Sequence, residues 1–356
     1  MTISTDNDAG SRKTPTVTVV IPAYNSAHYI SQALDSVKAQ TFTDYEVVVV
    51  NDGSQDREEL ERIIAAHPLP VIYISQENKG VSAARNAAIR VARGEFYAQL
   101  DADDQWTPDY LEVQLGILRD NPDVALVYPN ATIVGDGATV GLEFMKLSPS
   151  EGEVNFESLV RQQCVVMTCV TARMSVIRDA GMFDESIRSC EDFDLWLRIV
   201  QNGGRIIYHR RPLVLYRRHE GSLSSDRVWM TRNLVAVFEK CARTFQLTPA
   251  ESEMLNEHIV DQRAMLNLFE GKHALKAGNT RAALASFQQA NEHLRRSKLS
   301  AVIFLLRYAP GPLSWAFAVR ERLLAKQPEH QLTGIDKPRT PSTSERSNEN
   351  VVTESH

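Results

Sequence analysis

Several signals are missing from this 356-residue chain, and each absence removes a class of function. There is no G-x-G-x-x-G fingerprint and no Walker-type loop, which weakens dinucleotide-binding and P-loop readings. The four cysteines, Cys164, Cys169, Cys190 and Cys241, contain no C-x-x-C zinc pattern and read as thiols of a reducing compartment. Residues 1–14 are polar without an apolar core, so a secretory signal is not expected and the protein is expected in the cytoplasm. No apolar run approaches the roughly 20 residues that cross a bilayer; the densest, 301–306, is far shorter. A net charge of −6 gives no electrostatic footprint for nucleic acid. With 43% hydrophobic and 24% charged residues, the composition is that of an ordinary globular protein.

What is present is a regular alternation. Apolar, β-rich runs at 16–21, 45–50, 71–75 and 96–100 are separated by helical patterns. Pro22 breaks the first run, and Ser26 is placed to cap a helix carrying Tyr29, Ile30, Ala33, Leu34 and Val37 on one face. The third helical pattern, 81–93, is read as stopped by Gly94. Strand–helix alternation of this kind predicts a doubly wound α/β sheet with ligands beyond the carboxyl ends of the strands. Further on, 124–128 and 168–175 read as strands, the latter antiparallel, and 206–209 and 213–216 as two more short ones.

Three polar clusters fall at predicted strand ends. The most informative is Asp101-Ala102-Asp103-Asp104. On an extended chain Asp101 and Asp103 project to one side, and with a diphosphate they would make an oxygen shell suited to Mg²⁺ or Mn²⁺. The competing reading is that these acids cap a helix entered at Trp106-Thr107-Pro108. The second cluster is Asn51-Asp52-Gly53-Ser54, where Asp52 could accept hydrogen bonds from a ribose or base, or simply shape a turn. The third is Pro22-Ala23-Tyr24-Asn25.

Other residues stay ambiguous when taken singly. Arg85, beside Asn86 on a small-residue helix, could contact phosphate or a nucleobase edge, or pair with a nearby acid. Glu191 and Asp192 open a helix, where acids are favoured by the dipole, yet a carboxylate at a cleft rim could act as general base. Arg217, Arg218 and His219 follow a strand; they could neutralise a leaving group, with His219 as a metal ligand, or be an ordinary solvated strand end.

Taken in order, Val19–Asn25, Val50–Asp56, Asn78–Asn86, Gly94–Asp104, Glu191–Arg198 and Tyr216–His219 resemble the family 2 glycosyltransferases of the GT-A fold. The resemblance covers about 16–225. It implies a nucleotide-sugar site formed by Pro22, Tyr24, Asn25, Asp52, Arg85, Asp101, Ala102 and Asp103. It also implies a Mn²⁺ or Mg²⁺ ion on Asp103, with His219 a further candidate ligand. Asp192 would be the general base of an inverting transfer, with Glu191 on the acceptor side. The partners implied are a nucleoside-diphosphate sugar, with UDP the expected nucleotide, and a glycan or lipid-linked acceptor in polysaccharide or glycoconjugate synthesis. Ser26 stands where many members carry an acid. The processive members' Gln-x-x-Arg-Trp signature is absent, which points to single-sugar addition. A sugar nucleotidyltransferase is the rival enzyme, but Pro22–Asn25 lacks its Gly-rich basic loop; a non-catalytic binding or scaffold protein is the other alternative.

The expected organisation is a disordered segment at 1–14, a GT-A unit at 15–227, a helical annex at 228–326 and a disordered tail at 327–356. The annex contains one tetratricopeptide-like hairpin around 265–290. Its end, 299–324, mixes aromatics with Arg307, Arg320 and Arg322, which suggests either packing against the annex or peripheral contact with the inner face of a membrane.

Overall fold

Valine-rich β1 (Val17–Ala23) and β2 (Tyr45–Asp52) are buried along nearly their whole length, as strands covered on both faces must be. In a computed structural model that describes residues 14–219 and 226–309, they lie at the heart of one eight-stranded sheet. Chain order runs β1, α1 (Ala27–Lys38), β2, α2 (Arg57–Ala66), β3 (Ile72–Gln76), α3 (Val81–Val91) and β4 (Phe96–Gln99). Next come β5 (Gln105–Trp106), α4 (Tyr110–Asp120), β6 (Val124–Gly135), α5 (Phe144–Leu147), α6 (Phe156–Val160) and β7 (Thr171–Arg173). They are followed by α7 (Met174–Asp179), α8 (Glu191–Gln201), β8 (Arg205–Arg218), α9 (Arg227–Thr244), α10 (Pro249–Lys276), α11 (Thr280–Leu294) and α12 (Ser297–Tyr308). The segment at 1–13, most of the amphipathic stretch at 310–324 and the tail at 327–356 lie outside the described residues.

The strand order is β3-β2-β1-β4-β7-β6-β8-β5. From β3 to β4 neighbours are parallel, whereas β7 runs antiparallel to both β4 and β6. The sheet is therefore mixed α/β, as expected. The chain moves outward from β1 to β3 and then returns to place β4 on the other side of β1. That reversal opens a crevice at the carboxyl ends of β1 and β4, the place where open α/β sheets take ligands.

Several local expectations are corrected. Pro22 does not end its strand: it pairs in register with Val50, and β1 continues to Ala23. Gly94 is not a helix cap, because α3 ends at Val91 with an extended Ala92. A Cβ at Gly94 would lie 2.4 Å from the Thr18 backbone nitrogen, so that glycine is required by close approach of the α3–β4 turn to β1. Trp106 does not enter a helix; it pairs with Val214 in β5, and α4 begins at Tyr110. The two short strands expected at 206–209 and 213–216 are one strand, β8, which runs beside β6 and absorbs irregular register at bulges near Asn130.

The helices from Arg227 onward join two different cores. Val237, Phe238 and Cys241 of α9, with Leu255 and Ile259 of α10, belong to the same hydrophobic cluster as the sheet. Leu268 and Leu275 of α10, Phe287 of α11 and Leu306 of α12 form a second, smaller cluster. There Gly271 lets α10 and α11 cross closely, since a Cβ would meet the Phe287 ring at 2.5 Å.

Candidate active site

The loops after β1 and β2 lock to each other. Asn25 adopts a left-handed backbone, φ 49. Its N–H donates to Ser54 Oγ at 3.1 Å and its Oδ1 accepts from Gln55 N at 2.7 Å. The expected Ser26 cap is absent: Ser26 makes no side-chain cap bond, and Ala27 N donates instead to Asp56 Oδ2 at 2.9 Å from the neighbouring loop. Tyr24, at the tip, is 49% exposed.

Asp52 is buried and its carboxylate is turned towards the 76–80 loop. It accepts from Gln76 Nε2 at 2.7 Å, Lys79 N at 2.9 Å and Gly80 N at 2.8 Å. The next residue, Gly53, has φ +70, and a Cβ there would sit 2.6 Å from Asn78 N. Asp52 therefore holds the β3–α3 loop against the end of β2 and fixes the start of the helix carrying Arg85.

The three aspartates after β4 do not stay extended. Asp104 N donates back to Asp101 O at 3.0 Å, closing a turn, so Asp101 and Asp103 diverge to separate partners instead of converging on one side. Asp101 Oδ1 accepts from Arg85 Nη2 at 3.0 Å, while Asp103 Oδ2 lies 3.0 Å from His219 Nε2. Ala102 between them is buried. Asp104 is also buried and accepts from Arg217 N at 2.8 Å, with the Cys169 thiol 3.6 Å from its other oxygen. Burial, helped by the charges of Asp103 and Asp101, pushes the Asp104 carboxyl well above its ordinary range. It ties the aspartate loop to β8 rather than facing a ligand.

Arg85 joins the two halves of the site. It is 2% exposed, and its second arm, Nη1, donates to Glu191 Oε1 at 2.5 Å. Burial alone would lower its pKa, but the flanking Asp101 and Glu191 carboxylates raise it above the ordinary value. The guanidinium is thus a fixed cation between the aspartate loop and the first turn of α8. In that turn Asp192 Oδ1 accepts from Phe193 N at 2.7 Å. Withdrawal from water, reinforced by the charge of Glu191, lifts Asp192 from the usual carboxylate range to about 7. A carboxyl poised there can take up and release a proton near neutrality.

Asp103 and His219 fit a divalent cation by donor chemistry, a hard carboxylate oxygen beside an imidazole nitrogen. Burial and the nearby Asp101 charge hold the Asp103 carboxyl above its ordinary value, a penalty that a bound cation would relieve and that His219 already lowers. Among the described residues no group of three or more His, Cys, Asp or Glu side chains is arranged to hold a metal by itself.

The structure thus gathers Asp101, Glu191 and Asp192 about Arg85 and pairs Asp103 with His219 on the same aspartate loop. It turns Asp52 and Asp104 inward. One residue not anticipated stands beside His219: Tyr29 stacks on its ring with centroids 5.2 Å apart, and Arg217, expected near the site, lies over the Tyr29 ring at 5.2 Å. Tyr29 carried only the signal of a helix apolar face, which gave no hint of this contact.

Residues 18–180 match the family described as Glycosyl transferase family 2. A glycosyltransferase of Rickettsia typhi is 31% identical over 216 residues, 59% of this chain and 66% of its own length. The chondroitin synthase of Escherichia coli is 34% identical over 211 residues, 56% of this chain but 29% of the synthase. The chain therefore spans only part of these relatives. Among solved structures, Staphylococcus aureus TarS 1-349 in complex with UDP-GlcNAc is similar with a TM-score of 0.58 and 20% identity, covering 90% of this chain and 95% of that one. The mannosyltransferase PcManGT of Pyrobaculum calidifontis, in complex with GDP-Man and Mn²⁺, gives a TM-score of 0.56 and 21% identity, covering 88% and 89%. These likenesses identify the mixed sheet as a GT-A fold.

Proposed function

Because the chain belongs to glycosyl transferase family 2, we propose that it moves one sugar from a nucleoside-diphosphate sugar, with UDP as nucleotide, to an acceptor hydroxyl with inversion. The observation that carries this reading is the Arg85 bridge, which joins the aspartate loop to the Glu191–Asp192 turn through one buried guanidinium. Binding of UDP-GlcNAc by TarS and of GDP-Man with Mn²⁺ by PcManGT supports the choice of ligand class. The loops at Pro22–Asn25 and Asp101–Asp103 would receive the nucleotide, with Asp52 acting indirectly by fixing the loop before Arg85.

In the reaction, Asp192 as carboxylate accepts the proton of the acceptor hydroxyl while that oxygen attacks the anomeric carbon. The bond to the diphosphate breaks on the opposite face. Arg85 holds Glu191 in place, so Glu191 can orient the acceptor without itself taking the proton. Asp103 and His219 would hold Mn²⁺ or Mg²⁺, which when bound offsets negative charge on the departing diphosphate. Arg217, which donates through Nε to Asp103 O at 2.9 Å, keeps the aspartate loop closed.

A glycan or lipid-linked acceptor in polysaccharide or glycoconjugate synthesis is supported by the similarity to chondroitin synthase. The absent Gln-x-x-Arg-Trp signature supports single addition. Among the described residues no helix is long and apolar enough to cross a membrane. Peripheral membrane contact is supported by α12, where Phe304 and Tyr308 are 62% and 68% exposed on a helix that also carries Lys298 and Arg307. Co-sedimentation with anionic liposomes at low salt that disappears in a Phe304→Ser/Tyr308→Ser variant is expected; no binding by the parent would remove the membrane contact.

The test of the transfer reading is release of nucleoside diphosphate by the purified chain from a panel of UDP- and GDP-sugars, with and without Mn²⁺. Release confined to one donor and abolished by chelator is expected. Calorimetry should show UDP binding lost in Asp103→Ala and in chelator. Undiminished UDP affinity under both conditions would sink the metal role.

A further inference from the structure

Helix α9 lies beyond the family match at 18–180 and beyond the last motif at 216–219, yet it grips the chain on both sides of the acid pair. Just before the pair, the Ser189 hydroxyl donates to Met230 Sδ at 3.1 Å, and the Cys190 thiol lies 3.8 Å from the Met230 carbonyl. Cys190 opens α8 in a left-handed conformation, φ 63, which a non-glycine residue keeps only when its surroundings hold it there. Just after the pair, Phe193 meets Phe238 edge-to-face with centroids 5.6 Å apart. Lys240 then donates to Asp194 Oδ1 at 2.6 Å and to Asp184 Oδ2 at 2.7 Å.

Both partners of Lys240 lead back to the site. Asp194 is fully buried in the first turn of α8 and shares its charge with Arg198. Asp184 lies in the loop whose Phe183 backbone is clasped by Asn86: Nδ2 donates to Phe183 O at 2.8 Å, and Phe183 N donates to Oδ1 at 3.0 Å. Asn86 is the neighbour of Arg85 on α3. The lysine thus spans the helix that carries Asp192 and the loop that clamps the helix carrying Arg85.

We propose that Lys240 is a positioning residue for transfer, holding the Glu191–Asp192 turn against Arg85 from outside the family's own motifs. It touches neither substrate. The proposal rests on the reading of Asp192 as general base. The groups whose charges act on Asp192 are Glu191 and Cys190 in its own turn, Arg85 from α3 and Asp101 from the aspartate loop. Of these only Arg85 favours the ionised carboxylate, so the distance between turn and guanidinium sets how readily the base is freed. Without the ammonium, Asp194 keeps only Arg198, the 181–187 loop loses its tie to α9, and the turn can drift from Arg85.

The experiment uses the full chain with carbon-13 at the aspartate carboxyl carbons, the Asp192 signal being assigned by its loss in Asp192→Asn. Its pH titration is followed in the parent, Lys240→Met and Lys240→Arg, alongside UDP release from UDP-GlcNAc. Lys240→Met should move the Asp192 midpoint upward by about half a pH unit, roughly a threefold change in proton affinity. It should also lower kcat about tenfold with donor KM within about twofold, and Lys240→Arg should restore both. If Lys240→Met does not fold, Asp184→Asn keeps the partner of Asp194 while reducing the loop tie to an uncharged acceptor, and should give a smaller shift in the same direction. An Asp192 midpoint equal to the parent's in a folded Lys240→Met, or in Asp184→Asn where that is the variant that folds, overturns the proposal. A midpoint that follows Lys240 while even the parent releases no nucleoside diphosphate from any sugar of the UDP- and GDP-sugar panel upholds the positioning and overturns the transferase reading instead.

Discussion

The two sides of the crevice are held together by different means. On the nucleotide side, the turns after β1 and β2 satisfy each other through contacts such as Asn25 with Ser54 and Gln55, 29 and 30 residues apart. Short polar side chains there cap backbone groups that strand ends leave open, and each partner lies in the next strand-end loop. On the acid-pair side the ties are charged and remote: Arg85 to Glu191 spans 106 residues and Lys240 to Asp194 spans 46. The nucleotide side joins the turns of two strands that lie next to each other in the sheet. The acid-pair side exists only when separate parts of the fold have docked, because a buried ion pair is worth forming only with both partners in place.

The strongest way to break this contrast is Arg85→Met. It leaves Asp101 and Glu191 facing each other without their shared cation, and should cost about 3–5 kcal/mol in denaturant unfolding. A loss below about 1 kcal/mol would mean that the bridge does not join the two sides. Next comes Asp192→Asn, which keeps shape and removes basicity. Transfer should fall about 100-fold or more, with donor affinity and melting temperature nearly unchanged, and Glu191→Gln should be milder. Since Asp192 must be ionised to act and titrates near 7, the parent's transfer rate should climb with pH up to that point and level off above it. A flat profile from pH 5 to 8 would remove Asp192 as base.

The smallest expected effect belongs to the nucleotide side. Gly53→Ala places a side chain at φ +70 against Asn78, and should destabilise by about 1–3 kcal/mol while weakening UDP binding through the β3–α3 loop. Because the strain is local to that side, the pH midpoint of the remaining activity should stay where it is in the parent. A shifted midpoint would show that the two sides are less separate than their contacts indicate.

Which polar clusters sit at strand ends was legible in the chain, since apolar runs closed by Asp, Asn and Gly mark both the strands and their turns. The valine runs of β1 and β2 and the acidic start of α8 followed from the same periodicities, while the strand expected at 168–175 is antiparallel as read but shortened to Thr171–Arg173 by the start of α7. Where the reading missed, a distant partner had decided the outcome. Pro22 stays in its strand because β2 lies alongside it, and Gly94 is needed by Thr18 rather than by the helix before it. The α1 nitrogen expected to find Ser26 finds Asp56.

By itself the sequence determined the alternation of strands and helices, and hence an α/β sheet with carboxylates at the carboxyl ends of its strands. Side-chain period and turn chemistry are properties of neighbouring residues, and they need no fold to be read. Only the tertiary structure decided what those carboxylates face: Asp52 the loop before α3, Asp101 and Glu191 a single buried arginine, Asp103 a histidine, and Asp194 a lysine from α9. A carboxylate's partner, and with it the charge state of Asp192, depends on distances of a few ångströms between groups far apart along the chain, and those distances exist only once the chain has packed.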